Sequence, residues 1–276
     1  MSALAAAVGE AGKLPAFVRR DLLIALSQRS ALLRDAAVLG AQLIVFWFIG
    51  RLVDSTALPL YGERPATYIE FVAIGIVLSF VVGRVLCRVA TAVREEQLRG
   101  TLGTLLATPS ALRTVQLGSV VLELLWSPVR MALFLTVAAL GFGLHFDVAG
   151  APMAAVLLIA LLPFVWGIGL LSAAAILAFR RGVATTAHVV VVLGVVSGAY
   201  FPLSLLPSGF ESVGWMNPLA RTLEGTRAVL LGGGGWDAIT PHLLALLPAS
   251  AGLLIAGAAA FSFAVVHERR NGTLAP

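Results

Sequence analysis

Apolar stretches separated by short charged segments run the length of the chain. A helix that crosses a membrane needs about 20 mostly apolar residues. Six stretches are predicted to span: about Ala36–Leu52, Ile69–Leu86, Val115–Leu144, Met153–Phe179, Ala187–Phe201 and His242–Val266. Arg34-Asp35 and Arg51–Asp54 bracket the first, Arg84 and Arg88 end the second, and Arg180-Arg181 stop the fourth. The third is long enough to tilt or to begin as a surface helix. Ahead of them, Phe17–Leu33 interleaves Phe17, Val18, Leu22, Leu23 and Leu26 with Arg19, Arg20, Asp21 and Arg29. That pattern predicts an amphipathic helix lying in the membrane interface. Met1–Pro15 lacks the layout of a cleavable signal peptide. Between 201 and 241, Pro202, Pro207, Pro218 and Gly232–Gly235 forbid one regular helix, and the apolar content predicts short elements dipping back toward the membrane. The expected fold is all-α, a single membrane domain over residues 1–276 with a short tail at 267–276.

Composition agrees with this picture. Of the 276 residues, 59% are hydrophobic and only 12% charged, where soluble domains carry roughly 25% charged residues. Too little polar surface is left to keep a globule of this size in water. The single cysteine, Cys87, rules out an intrachain disulfide, and the four histidines are scattered without ligand spacing. The net charge of +5 is spread through the loops and does not form a nucleic-acid patch. It sorts by side of the membrane instead. Six spans put both termini on one face, which holds Lys13, Arg19, Arg20, Arg29, Arg34, Arg84, Arg88, Arg94, Arg99, Arg113, Arg180, Arg181, Arg269 and Arg270. The opposite face has only Arg51, Arg64, Arg221 and Arg227. The excess of basic residues assigns the termini to the cytoplasm.

One cytoplasmic segment stands out. In Arg94–Pro109, the charges Arg94, Glu95, Glu96 and Arg99 are too costly for hydrocarbon. Leu98, Leu102, Leu105 and Leu106 recur at helical spacing and give one apolar stripe. Pro109 ends the helix. A short amphipathic helix in such a loop suits docking of a soluble partner. The chain itself has no P-loop, since Gly12-Lys13 is followed by Leu14 and not Ser or Thr.

The segment resembles the cytoplasmic coupling segment of the type-2 ABC exporter permeases, with Glu96, Gly100, Thr101, Leu102, Leu105, Leu106, Thr108 and Pro109 fitting the family pattern. Leu98 and Gly103 depart from it, standing where acidic residues are common. Ser197, Gly198, Phe201, Pro202 and Pro207 resemble the family's Ser-Gly-x-x-Phe-Pro…Pro stretch at the end of the fifth span. Asn217-Pro218-Leu219, then Arg227 and Gly232, resemble its Asn-Pro-Leu…Arg…Gly stretch before the sixth. The three motifs occur in order across essentially the whole chain. The resemblance implies a bacterial plasma-membrane (inner-membrane) protein, a dimer with itself or a related chain, and two cytoplasmic ATPase subunits. ATP and Mg would bind those subunits, with no cofactor in this chain. It further implies export by alternating access of a hydrophobic or amphipathic cargo: a drug-like molecule, a lipid, a peptide or a glycan.

Within the spans, Glu123 and Arg130 share a face of the third helix, with Pro128 between them. They are candidates for the pathway or dimer face, alongside Ser197, Gly198, Phe201, Pro202, Asn217 and Pro218. The alternative is that the third span starts late, with Glu123 among the headgroups and Arg130 snorkelling. Arg84 and Arg88 read as cytoplasmic-end anchors, and the five tryptophans as interface or packing aromatics. Gly167 and Gly169, with Ser172 and Ala173–Ala175, offer a smooth face for close helix packing.

Other classes fit less well. No Gly-x-Ser-x-Gly is present for a serine intramembrane protease. Glu95-Glu96…Arg99 with Phe263…His267…Asn271 is similar to the motifs of the CAAX endopeptidases, but the arginine is one residue too close and His267 falls at the tail. A secondary transporter or channel calls for midplane coupling residues, and none is evident.

Overall fold

The computed structural model describes residues 29–52, 58–62, 66–98, 111–179 and 183–271. Among them there is no strand; the order is α1 (Arg29–Gly50), α2 (Tyr68–Leu98), α3 (Ala111–Phe142), a 3-10 turn (Val148–Gly150), α4 (Ala151–Phe179), α5 (Val183–Val196), a second 3-10 turn (Leu203–Leu205), α6 (Ser208–Met216), α7 (Pro218–Leu230) and α8 (Trp236–Asn271). The long helices alternate between two ends of a bundle. One end carries the end of α1, the start of α2, the segment after α3 and the whole of 197–235; the other carries the start of α1, the end of α2, the end of α4 and the end of α8.

Among the described residues, four helices are long and apolar enough to cross a membrane: Leu33–Gly50, Tyr68–Cys87, Val148–Leu177 and Trp236–His267. The third expected span falls almost wholly within α3, one helix of 32 residues, and the fifth is shorter than expected, with α5 of 14 residues. Burial separates the four. Tyr68–Cys87 is 72% buried and Val148–Leu177 67%, whereas Leu33–Gly50 is 11% buried and Trp236–His267 17%. α2 and α4 therefore form the core, and α1 and α8 present apolar faces outward. The largest apolar cluster runs through Phe71, Ile74, Leu78, Leu86, Leu157, Leu161, Leu219 and Leu223. A second, at the other end of α4, joins Leu170, Ala173 and Leu177 to Phe261 and Ala264 of α8.

The helix starts follow from local chemistry. Thr67 and Glu70 form a capping box at α2: the Thr67 N–H donates to Glu70 Oε2 (2.9 Å) and the Glu70 N–H to Thr67 Oγ1 (3.4 Å). Asn217 caps α7, accepting from the Leu219 N–H at 3.0 Å, with Pro218 at the first helical position. Pro128, Pro163, Pro241 and Pro248 lie inside α3, α4 and α8 without ending them.

α2 extends beyond its expected end. It continues past Arg84 and Arg88 to Leu98, so 94–98 belong to the same rod as Phe71 and not to a separate short helix. Residues 99–110 lie outside the described residues, as do the N-terminal segment 1–28 and the tail 272–276.

Candidate functional site

A helix of 14 residues that ends inside a bundle leaves its last carbonyls without helical partners. At the end of α5 those carbonyls are met by side chains. Ser197 Oγ donates to Gly194 O (2.7 Å), and Asn217 Nδ2 to Leu193 O (3.3 Å). Gly198 takes a φ of 75° in the turn that follows, a left-handed position that favours glycine. Tyr68 Oη donates to Tyr200 O (3.0 Å). The turn lies so close to α2 that a Cβ on Gly75 would sit 2.7 Å from the Ala199 carbonyl carbon.

Arg227 completes the set. Its side chain is wholly buried, and Nη2 donates to Gly198 O (3.0 Å), Ala199 O (3.2 Å) and Phe71 O (3.3 Å). Nε also reaches Phe71 O at 3.3 Å, and the guanidinium stacks on the Phe71 ring at 3.4 Å. Nη1 donates to Glu224 Oε1 (3.1 Å), and Tyr61 Oη donates to Glu224 Oε2 (2.7 Å). Burial pushes the Tyr61 phenol well above its ordinary value, despite the Arg227 charge nearby, so it donates as a neutral group. A cation here faces the negative end of α5's dipole and has a carboxylate one helical turn away. Its planar fork joins three carbonyls from two segments, which an ammonium could not do. One side chain thus fastens α7 to α2 and to the α5 turn.

A fully buried carboxylate, Glu70, lies nearby in the fold. Glu70 Oε1 accepts from the His145 N–H (2.9 Å), tying the start of α2 to the segment after α3. Around the same end, Arg51 stacks on Trp47 (4.0 Å) and Arg221 on Trp215 (4.9 Å), pairings suited to an interfacial belt.

Of the expected site residues, the structure gathers Ser197, Gly198, Phe201, Pro202, Asn217 and Pro218 at this corner, all buried except half-buried Phe201. Arg130 lies elsewhere. It lines a cavity of about 150 Å³ between α1, α2 and α3, together with Asp35, Leu39, Leu43, Val77 and Phe142. Arg84 donates to both oxygens of Asp35, at 3.0 and 2.8 Å, which explains its position at the charged end of α2. The side chains of Glu95, Glu96 and Glu123, and all of Arg99, Gly100, Thr101, Leu102, Leu105, Leu106, Thr108 and Pro109, lie outside the described residues. Phe263 and His267, two of the residues similar to the endopeptidase motifs, are ring-stacked neighbours one turn apart on α8 (6.1 Å).

Sequence reasoning missed Tyr61, Glu70, Phe71, Glu224 and the burial of Arg227. The capping box was available as Thr67-x-x-Glu70 before an apolar run, and the Glu224–Arg227 pair as an i, i+3 spacing. Their partners at 61, 71 and 198 carry no local signal.

Apolar helices of spanning length, irregular backbone held at depth by buried side chains and tryptophan–arginine pairs at one end define a multi-pass membrane protein. A family model, described as ABC-2 type transporter, matches residues 18–231, and the chain belongs to that family. It is the permease component of an ABC transporter, and permeases of this family work with ATPase subunits. No curated protein matches the chain.

Proposed function

We propose that the chain is the membrane subunit of an ATP-driven exporter, with six spans, cytoplasmic termini and a dimeric assembly on two cytoplasmic ATPase subunits that bind ATP and Mg. The charge sorting supports the orientation, and the short α5, continued by its buried turn, supports its reading as a fifth span. The observation that carries the mechanism is the continuity of α2. It is one helix from Phe71, clamped by Arg227, to Leu98, where the coupling segment is under way. At 1.5 Å per residue that is a rod of about 40 Å. Movement of the ATPase pair at the coupling segment Glu95–Pro109 reaches the Arg227 cluster along this rod, in alternation between inward- and outward-facing states. A hydrophobic or amphipathic cargo then leaves past Phe201–Pro218.

The test is purification of the tagged chain from its native membrane, followed by transport in inside-out vesicles. A P-loop ATPase subunit is expected to co-purify in equal number, the chain alone is expected to hydrolyse no ATP, and uptake of an amphiphilic dye is expected to require ATP. Hydrolysis by the chain free of partners, or uptake driven by an ion gradient without ATP, would overturn the reading.

A further inference from the structure

α1 meets the rest of the bundle along a narrow stripe. Its spanning part is only 11% buried, and Asp35, Leu39, Leu43, Phe46 and Gly50, three or four residues apart, carry the stripe. Leu39 and Leu43 belong to the main apolar core. Both ends of the stripe are fastened. At the end near the α5 turn, Gly50 lies so close to α2 that a Cβ would meet Tyr68 Cδ1 at 3.2 Å, and Phe46 stacks on Tyr200 at 5.3 Å. At the other end, Arg84 Nη1 donates to both carboxylate oxygens of Asp35. At 1.5 Å per residue, Asp35 to Gly50 and Tyr68 to Arg84 are each about 23 Å, so the two helices run side by side with their ends in register.

The two fastenings differ in kind. The first belongs to the Arg227 cluster, since Tyr68 also donates to Tyr200 O in the turn whose carbonyls Arg227 holds. The second borders the cavity of about 150 Å³ between α1, α2 and α3, which Asp35 and Phe80 both line. There the two helices have room to move on α3 and hold to each other by charge. Asp35 and Arg84 lie inside the apolar spans Leu33–Gly50 and Tyr68–Cys87. Their side chains are 29% exposed for Arg84 and 14% for Asp35, so water screens the pair little. Apolar side chains slide past one another at small cost. Parting this pair would strand a charge in an apolar span.

We propose that Asp35 is a positioning residue: through Arg84 it holds α1 to α2, so that the two helices swing as one lever about the Arg227 cluster when the ATPase pair moves α2. This deepens the exporter reading and rests on it, extending to α1 the movement that reading gives to α2. Failure of the exporter reading shows in the wild type, as uptake without ATP. Failure of the link shows in the variants alone.

Asp35→Asn removes the charge and keeps the shape. In inside-out vesicles holding the chain with its ATPase, this variant is expected to hydrolyse ATP near the wild-type rate while moving about tenfold less amphiphilic dye per ATP. A structural role alone would lower yield or thermal midpoint and leave dye moved per ATP unchanged.

The second comparison is made within one protein. In a Cys87→Ser background, Asp35→Cys and Arg84→Cys are joined by a short bifunctional methanethiosulfonate, which replaces the reach of the two lost side chains better than a direct disulfide does. Reductant removes it. The joined form is expected to regain dye moved per ATP to within about twofold of the Cys87→Ser chain, because the link replaces the one coupling that was lost. Reductant should undo the gain. A joined form no better than the reduced one would overturn the proposal, as would wild-type dye per ATP in Asp35→Asn. Both forms of the cysteine pair come from one folded preparation, so the comparison decides even if Asp35→Asn fails to fold.

Discussion

Gly167 and Gly257 face one another where α4 and α8 cross: a Cβ on Gly167 would lie 2.6 Å from Leu253 O, and one on Gly257 would collide with Gly167 O. Both obstacles are backbone, which cannot swing aside as a side chain can. Small residues at such a crossing let two membrane helices pack by dispersion, without any hydrophobic drive between them. Gly257→Leu is expected to push α8 off α4 and destabilise the protein by about 1–3 kcal/mol or more. Gly252→Leu, earlier on α8 and facing open space, should be neutral. Thermal unfolding in detergent, followed by loss of the monodisperse chromatographic peak, distinguishes them. Equal midpoints for the two variants would remove the crossing from the account of stability.

The Arg227 cluster makes a sharper prediction. Arg227→Leu leaves the half-buried Glu224 without its cation, and strips donors from Phe71, Gly198 and Ala199 together. Removing one partner of a buried pair costs about 3–5 kcal/mol. Arg227→Lys should recover only part of that loss, because an ammonium cannot reproduce the planar fork. Adding Glu224→Gln to Arg227→Leu should restore some stability by removing the stranded charge. A double variant no more stable than Arg227→Leu would mean that the pair is not coupled as the distances indicate.

How much of this was legible in the sequence depended on range. The apolar runs that became α1, α2, α4 and α8 were legible because length and composition are local properties. Asn217-Pro218 was singled out only as part of a motif, not as the start of α7 that it is; Gly167 was legible as a packing residue because small residues in an apolar run have few other uses. Arg227 was counted among outer-face loop charges, since a lone arginine after an Asn-Pro turn looks solvated. Only the folding of 61, 71 and 198 around it shows otherwise. The end of α2 was set at Arg84 and Arg88 because charge ends a membrane span. It does not end a helix, and α2 continues to Leu98. Arg130 was singled out by its charge, but the cavity it lines is walled also by α1 and α2, beyond the reach of spacing on α3.

Orientation is testable with few changes, because Cys87 is the only cysteine. In a Cys87→Ser background, new cysteines at Arg180 or Arg269 are expected to resist a membrane-impermeant maleimide added to intact cells. Cysteines at Glu63 or Glu211 should react. The reverse pattern would invert the topology and place the coupling segment away from any cytoplasmic ATPase.

On the proposed function the segment Arg94–Pro109 has two separable tasks, to bind the ATPase and to move α2, and the continuity of α2 lets them be tested apart. Binding falls to the leucine stripe, where burying each side chain is worth roughly 1.5–3 kcal/mol. Leu102→Asp or Leu105→Asp should therefore weaken co-purification of the ATPase. Glu96→Ala should leave it largely intact, since an exposed ion pair contributes only about 0–1 kcal/mol. Gly100→Leu should block close docking by bulk and abolish transport. Transmission falls to the rod. Ala92→Pro, inside α2 and short of the docking stripe, removes a helical hydrogen bond and kinks the helix at a cost of about 3 kcal/mol. It should leave ATPase association near wild type while uncoupling it, with ATP hydrolysed and little cargo moved. Co-purification and vesicle transport measured together give the answer. Full transport by Ala92→Pro would mean that the movement reaches the Arg227 cluster by some path other than α2. Full association and transport by both Leu102→Asp and Gly100→Leu would reduce the segment to a solvated loop.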